Sequence, residues 1–149
     1  MKHVISSLVL CALIAGGFFL LKSPGLPPAP SAVEMKLNDL PIRLDMAVTS
    51  EAQYQGLSDR EDLCRQCGML FTFDSPREHT FVMRRMKFPL DIVWIRSGRI
   101  LRIDRNLAPE SAEPYTPYPS GAPVDQVLEL KAGGAGLYGL QEGAAFNLQ

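Results

Sequence analysis

Cys64-Arg65-Gln66-Cys67 sets two thiols three positions apart, directly before the apolar run Gly68-Met69-Leu70-Phe71. A pair at that spacing can ligate zinc, exchange with other disulfides, or close a disulfide of its own. A closed zinc site needs four ligands, and no second such pair follows. His79 is the only histidine past the first segment, so Cys64, Cys67 and His79 would still need Asp74 or Glu78. No metal is therefore expected. Thioredoxin-like chemistry wants the first cysteine at a helix start, where the dipole lowers the thiol pKa. Here the pair precedes a strand-like run, although Arg65 could stabilise a thiolate. The favoured expectation is a structural Cys64–Cys67 disulfide in an oxidising compartment, fixing the turn that delivers residues 68–71 to a sheet. Its loop is short, so the entropic gain is small.

A second candidate is charge. Between Arg84 and Arg105 stand seven basic residues and two acidic ones, Asp91 and Asp104. The planar guanidinium fork suits carboxylates and phosphates. Arg84 and Arg85 are thus expected to face an anionic envelope ligand or an acidic partner. The competing reading is a solvated hairpin edge whose arginines deter strand pairing. Asp91 interrupts an apolar stretch, so a buried carboxylate there must be paired or hydrogen-bonded. Arg84 or Arg85 is the expected partner, and a general base near His79 is the alternative. Met83 and Met86 offer soft sulfur, but positions three apart on a strand face opposite ways, so core filling is the plainer role. Tyr115 and Tyr118 sit among prolines, where they either line a groove or pack their loop down. There is no G-x-S-x-G and no glycine loop of the kind that cradles phosphate, and no cofactor is expected.

These side chains need a scaffold. A chain of 149 residues with 46% hydrophobic and 21% charged residues suits one globular domain. A net charge of −1 gives no global field for nucleic acid, and none is expected as a partner. The uncharged stretch Val4–Leu21 would make a helix of roughly 27 Å, near the bilayer's hydrocarbon thickness. Residues 1–21 are therefore expected to form a signal-anchor helix, with Cys11 unpaired inside it. Residues 22–32 read as a Pro-rich linker and 33–149 as a globular domain. This organisation places the domain on the extracytoplasmic side, with the membrane as its first partner.

Within the domain, Asn38-Asp39 and Ser97-Gly98 read as two-residue hairpin turns. Ile42, Leu44 and Met46 alternate with Arg43 and Asp45, as on a half-buried strand. Thr49 or Ser50 is expected to cap a short helix that Gly56 ends, with Leu57 returning to the core. Ile92-Val93-Trp94-Ile95 is apolar throughout, so that strand is expected to be covered on both faces. Residues 134–143 suggest a weak helical turn and 144–148 a closing strand. With no room seen for parallel crossover units, the expected class is all-β with minor α: about eight strands in a β-sandwich or partly open barrel.

Gly56-Leu57, Gly68-Met69-Leu70-Phe71, Phe81-Val82-Met83, Pro89-Leu90-Asp91-Ile92 and Val127-Leu128-Glu129-Leu130 occur in an order that resembles the family called domain of unknown function 192. The resemblance covers most of residues 33–149. It implies a small β-rich domain, often behind an export signal or anchor, with no established activity. Members commonly carry Trp where Val82 stands and Lys-Asn-Thr where Arg84-Arg85-Met86 stands. Together the residues and the resemblance suggest a membrane-tethered binding or accessory domain. The alternative is an envelope enzyme, redox through Cys64 and Cys67 or hydrolytic through Asp91 and His79.

Overall fold

The structure, a computed structural model, describes residues 32–149. The expected anchor helix, Cys11 and all of the linker except Ala32 lie outside the described residues. No helix among the described residues is long and apolar enough to cross a membrane. The elements in chain order are β1 (Ala32–Leu37), β2 (Leu40–Ala47), α1 (Ser50–Gln55), β3 (Cys67–Arg77), β4 (Thr80–Phe81), β5 (Leu90–Arg96), β6 (Arg99–Leu107), β7 (Tyr118–Pro119), β8 (Val124–Lys131) and α2 (Gly134–Leu137).

Local chemistry sets the turns. Asn38 and Asp39 take φ of 48° and 65°, and Ser97 and Gly98 take 48° and 70°. Positive φ at both central residues matches the twist of the flanking strands, so β1 folds onto β2 and β5 onto β6. Thr49 caps α1 by accepting from the Ala52 amide at 3.2 Å. Gly56 ends the helix at φ 52°, and Leu57 returns to the core at 1% exposure.

Six strands form one open sheet in the order β1-β2-β3-β8-β5-β6, and β4 pairs with β7 in a separate ribbon. Eight strands are present, as many as expected, but β7 falls in the proline-rich stretch read as a loop, residues 144–148 form no strand, and the eight do not divide into two comparable facing sheets. One pairing corrects the sequence reading: β2 and β3 run parallel, Arg43 opposite Cys67 through Ala47 opposite Phe71. A parallel crossover needs a dozen or more residues, and residues 48–66, carrying α1, supply them.

The central strand explains the two faces. Ile92 and Trp94 enter one hydrophobic cluster, Val93 and Ile95 the other, because successive side chains point to opposite sides. Each such burial is worth about 1.5–3 kcal/mol. The first cluster also takes Leu44, Leu130, Ala135 and Tyr138 beneath α2. The second takes Leu57, Phe71, Met83 and Met86. There Phe81 of the ribbon stands edge-on between Phe71 and Trp94, at 4.9 and 5.4 Å.

The expected closing strand is a bridge between the sheet's two edges. Lys36 and Gln149 exchange both backbone bonds, at 2.7 and 2.9 Å. On the other edge the Phe146 amide donates to the Gly98 carbonyl at 2.8 Å, and the Ile100 amide to the Ala144 carbonyl at 3.0 Å. Backbone groups that would otherwise present an open edge are thereby paired.

Candidate functional site

One register row crosses the sheet: Asp45 of β2, Met69 of β3, Glu129 of β8 and Ile92 of β5. Met69 and Ile92 belong to the second cluster, so Glu129 points to that same apolar side. It is only 6% exposed, and its Oε2 has no protein hydrogen-bond partner. Burial pushes the carboxyl up to about 8, while the Arg60 charge pulls it back. Near neutral pH Glu129 is thus an uncharged acid carrying an O–H donor. Arg60 itself is held by Asp45 at 2.6 Å.

Glu129 lines a cavity of about 160 Å³ under the end of α1. Leu57, Phe71, Phe81 and Met86 supply apolar wall, and Arg84 lines the same space. The Arg84 guanidinium lies 4.0 Å from the centre of the Tyr54 ring and donates to the Tyr54 carbonyl. Its Nε is buried and has no protein partner. The turn that carries it is pinned from the loop after α1: the Ser58 hydroxyl donates to the Arg84 carbonyl at 2.9 Å, and the Asp59 amide to the Arg85 carbonyl at 3.0 Å. Two residues that each hold a buried, unpartnered polar atom thus line one small cavity.

The other expected site residues are dispersed. Arg85, at φ 51°, faces outward and pairs with Asp59 at 2.9 Å, and that hydrogen bond lowers the Asp59 carboxyl below its ordinary range. Lys87 pairs with Glu61, Arg102 with Asp104 at 2.7 Å, and Arg105 donates to the Leu140 carbonyl at 3.2 Å. Arg85, Lys87, Arg102 and Arg105 therefore answer separate partners, while Arg96 is exposed.

Asp91 is 1% exposed, as an apolar surround demands. Its partners are backbone amides, not arginines: Asn106 at 2.9 Å to Oδ1, and Gly133 and Ala135, each at 3.0 Å, to Oδ2. It ties β5 to the end of β6 and to the start of α2. Close approach there also demands glycine: a Cβ on Gly134 would lie 2.7 Å from the Leu130 Cβ.

His79 stacks on Phe73 with ring centroids 3.6 Å apart, and its backbone bonds Ser120 at 2.8 and 3.1 Å. Burial, with the Arg77 charge, holds its imidazole below the usual histidine range. The hydrogen bonds of Asp91 and His79 run to different partners, so no acid–base pair forms between them. Met83 is core at 1% exposure, which removes it from the ligand surface. Tyr118 packs on the second cluster and pairs with Phe81, while Tyr115 is half-buried in the preceding loop. Cys64 and Cys67 lie at disulfide-bonding distance, with Cα atoms 5.1 Å apart. Cys64 is exposed, whereas Cys67 packs on the second cluster. Among the described residues no group of three His, Cys, Asp or Glu converges as a metal site.

Glu129 is the residue that sequence reasoning missed. A usable signal was present, since Glu129 interrupts Val127-Leu128-Leu130 as Asp91 interrupts its own apolar run.

An open, mixed β-sheet with a small side-chain-lined cavity on one face defines a compact β-rich domain. The chain belongs to the DUF192 family, described as Uncharacterized ACR, whose family model matches residues 33–148. No curated protein matches the chain. Among solved structures, it is similar to a Sinorhizobium meliloti 1021 protein assigned provisionally to transcription regulation, at 28% identity and TM-score 0.72, over 82% of this chain and 97% of that one. It is also similar to a Novosphingobium aromaticivorans protein of unknown function, at 30% identity and TM-score 0.70, over 79% of this chain and 86% of that one.

Proposed function

We propose that this domain is a binding module, tethered outside the cytoplasm by its N-terminal segment, that takes a small ligand into the cavity beneath α1. The observation that carries the reading is that Glu129 and Arg84, each holding a buried polar atom without a protein partner (Oε2 and Nε), both line one cavity. A buried polar group without a partner costs free energy, and two beside one cavity are most simply groups reserved for a ligand. The cavity replaces the basic hairpin as the contact surface, because Arg85, Lys87 and Arg102 are already paired with acids.

Native mass spectrometry of the full chain purified from membranes tests the reading. A retained small adduct is expected, and Glu129→Leu and Arg84→Met should each lose it while keeping a cooperative thermal transition. Equal retention by both variants would place the ligand elsewhere.

An envelope enzyme is the second reading. A carboxyl held near 8 in a cleft is suited to proton transfer near neutral pH, so Glu129 takes the place of Asp91 and His79 as its acid–base group.

A further inference from the structure

The cavity's chemistry narrows its occupant, given the binding reading above. At about 160 Å³ it matches the scale of cavities that hold a benzene-sized molecule. Among the described residues lining it, Arg84 is the only cation and Glu129 the only acid. The amide side chains nearby are already committed: Gln53 donates to the Ala47 and Thr72 carbonyls, and Gln55 to the Ser58 carbonyl. The Ser58 hydroxyl is committed to the Arg84 carbonyl. What remains for a ligand is the Arg84 N–H, the Glu129 carboxyl and the neutral hydroxyls of Tyr54 and Thr80, so only Arg84 and Glu129 can answer a charge.

Charge counting then separates the ligand classes. With Glu129 uncharged, Arg84 contributes one positive charge, which a monoanion cancels. A phosphate dianion would leave one negative charge buried without compensation. An ammonium ligand would have to ionise Glu129 and still leave the site with one surplus positive charge. An uncompensated buried charge is the costliest of these outcomes.

We infer that the ligand is a small monocarboxylic acid with a compact apolar tail, its carboxylate accepting from the Arg84 guanidinium and the Glu129 carboxyl O–H, its tail against Leu57, Phe71 and Phe81. The arrangement is a donor fork closed around one carboxylate, and the apolar wall limits the tail to a few carbon atoms.

Titration calorimetry of the purified full chain at about pH 6.5, below the titration of Glu129, tests this with sodium isobutyrate, isobutyramide, isobutylamine and inorganic sulfate, an oxyanion that is a dianion at this pH, as probes. Isobutyrate should bind at least about tenfold more tightly than each of the others. Glu129→Gln keeps an uncharged donor and should retain isobutyrate binding within about threefold, whereas Glu129→Leu and Arg84→Met should each lose about tenfold or more. Tighter binding of isobutylamine, abolished by Glu129→Gln, would overturn the carboxylate class and leave the cavity as the site. Preference for isobutyramide or sulfate would do the same. Binding of none of the four probes at about 10 mM would overturn the class and the cavity reading together.

Discussion

Asp91 and Glu129 are both buried acids, on neighbouring strands and opposite faces of one sheet, and they have opposite fates. Asp91 receives three backbone amides and joins three parts of the fold. Glu129 receives none at Oε2 and sits beside a cavity. Three amide donors satisfy the Asp91 oxygens, whereas an apolar surround without a donor at Oε2 favours the neutral form of Glu129. One carboxyl therefore contributes to stability, and the other subtracts from it. Burial alone does not distinguish the two roles; the count of donors does.

The largest test of this contrast is pH. Glu129 rises from an ordinary 4.5 to about 8 on folding. Between those values the unfolded chain releases its proton while the folded one keeps it, so stability falls as pH rises through that window and levels off above about 8. The penalty from this group reaches at most about 5 kcal/mol. Urea denaturation between pH 5 and pH 9 should reveal the slope, and Glu129→Gln should flatten it. An equal slope in the variant would show that Glu129 is not the titrating group.

Next in size is Asp91→Ala. The buried Ala135 amide and the partly buried Asn106 and Gly133 amides lose their acceptor, and at about 1–3 kcal/mol for a buried group the domain should lose on the order of 3 kcal/mol or fail to fold cooperatively. A loss below about 1 kcal/mol would mean that water satisfies those amides and that Asp91 is no clamp.

Glu129→Leu should move the other way, raising the ligand-free protein's stability by about 2 kcal/mol at pH 7, because an apolar side chain removes an unpartnered polar one. A loss of stability instead would mean that Glu129 is tied into the fold, and the contrast with Asp91 would collapse.

The smallest effect belongs to Cys64→Ser. The closed loop is so short that loop entropy limits the loss to below about 2 kcal/mol. A larger drop in the denaturation midpoint would show the pair anchoring the whole loop between α1 and β3.

Much of the scaffold was legible because its causes are local. Asn38-Asp39 and Ser97-Gly98 announce hairpin turns through the residues that tolerate positive φ. Thr49 and Gly56 bracket α1, and Ile92–Ile95 reads as covered on both faces because every position is apolar. The parallel β2–β3 pairing was not legible, since nothing in either strand names its neighbour. The partners of the basic residues were not legible for a related reason: the sequence counts charges along the chain, while the fold pairs Arg85 with Asp59 and Arg102 with Asp104.

The sequence by itself determined the family, the strand-rich class and the need to satisfy a buried acid at Asp91, because turn chemistry and periodicity act over a few residues. Only the tertiary structure decided which acid is satisfied. Asp91 meets Gly133 and Ala135 from more than forty positions away, and Glu129 meets Arg84 across a cavity formed by elements distant in the chain. Hydrogen-bond partnership at that range is a property of the packed arrangement, which no local pattern encodes.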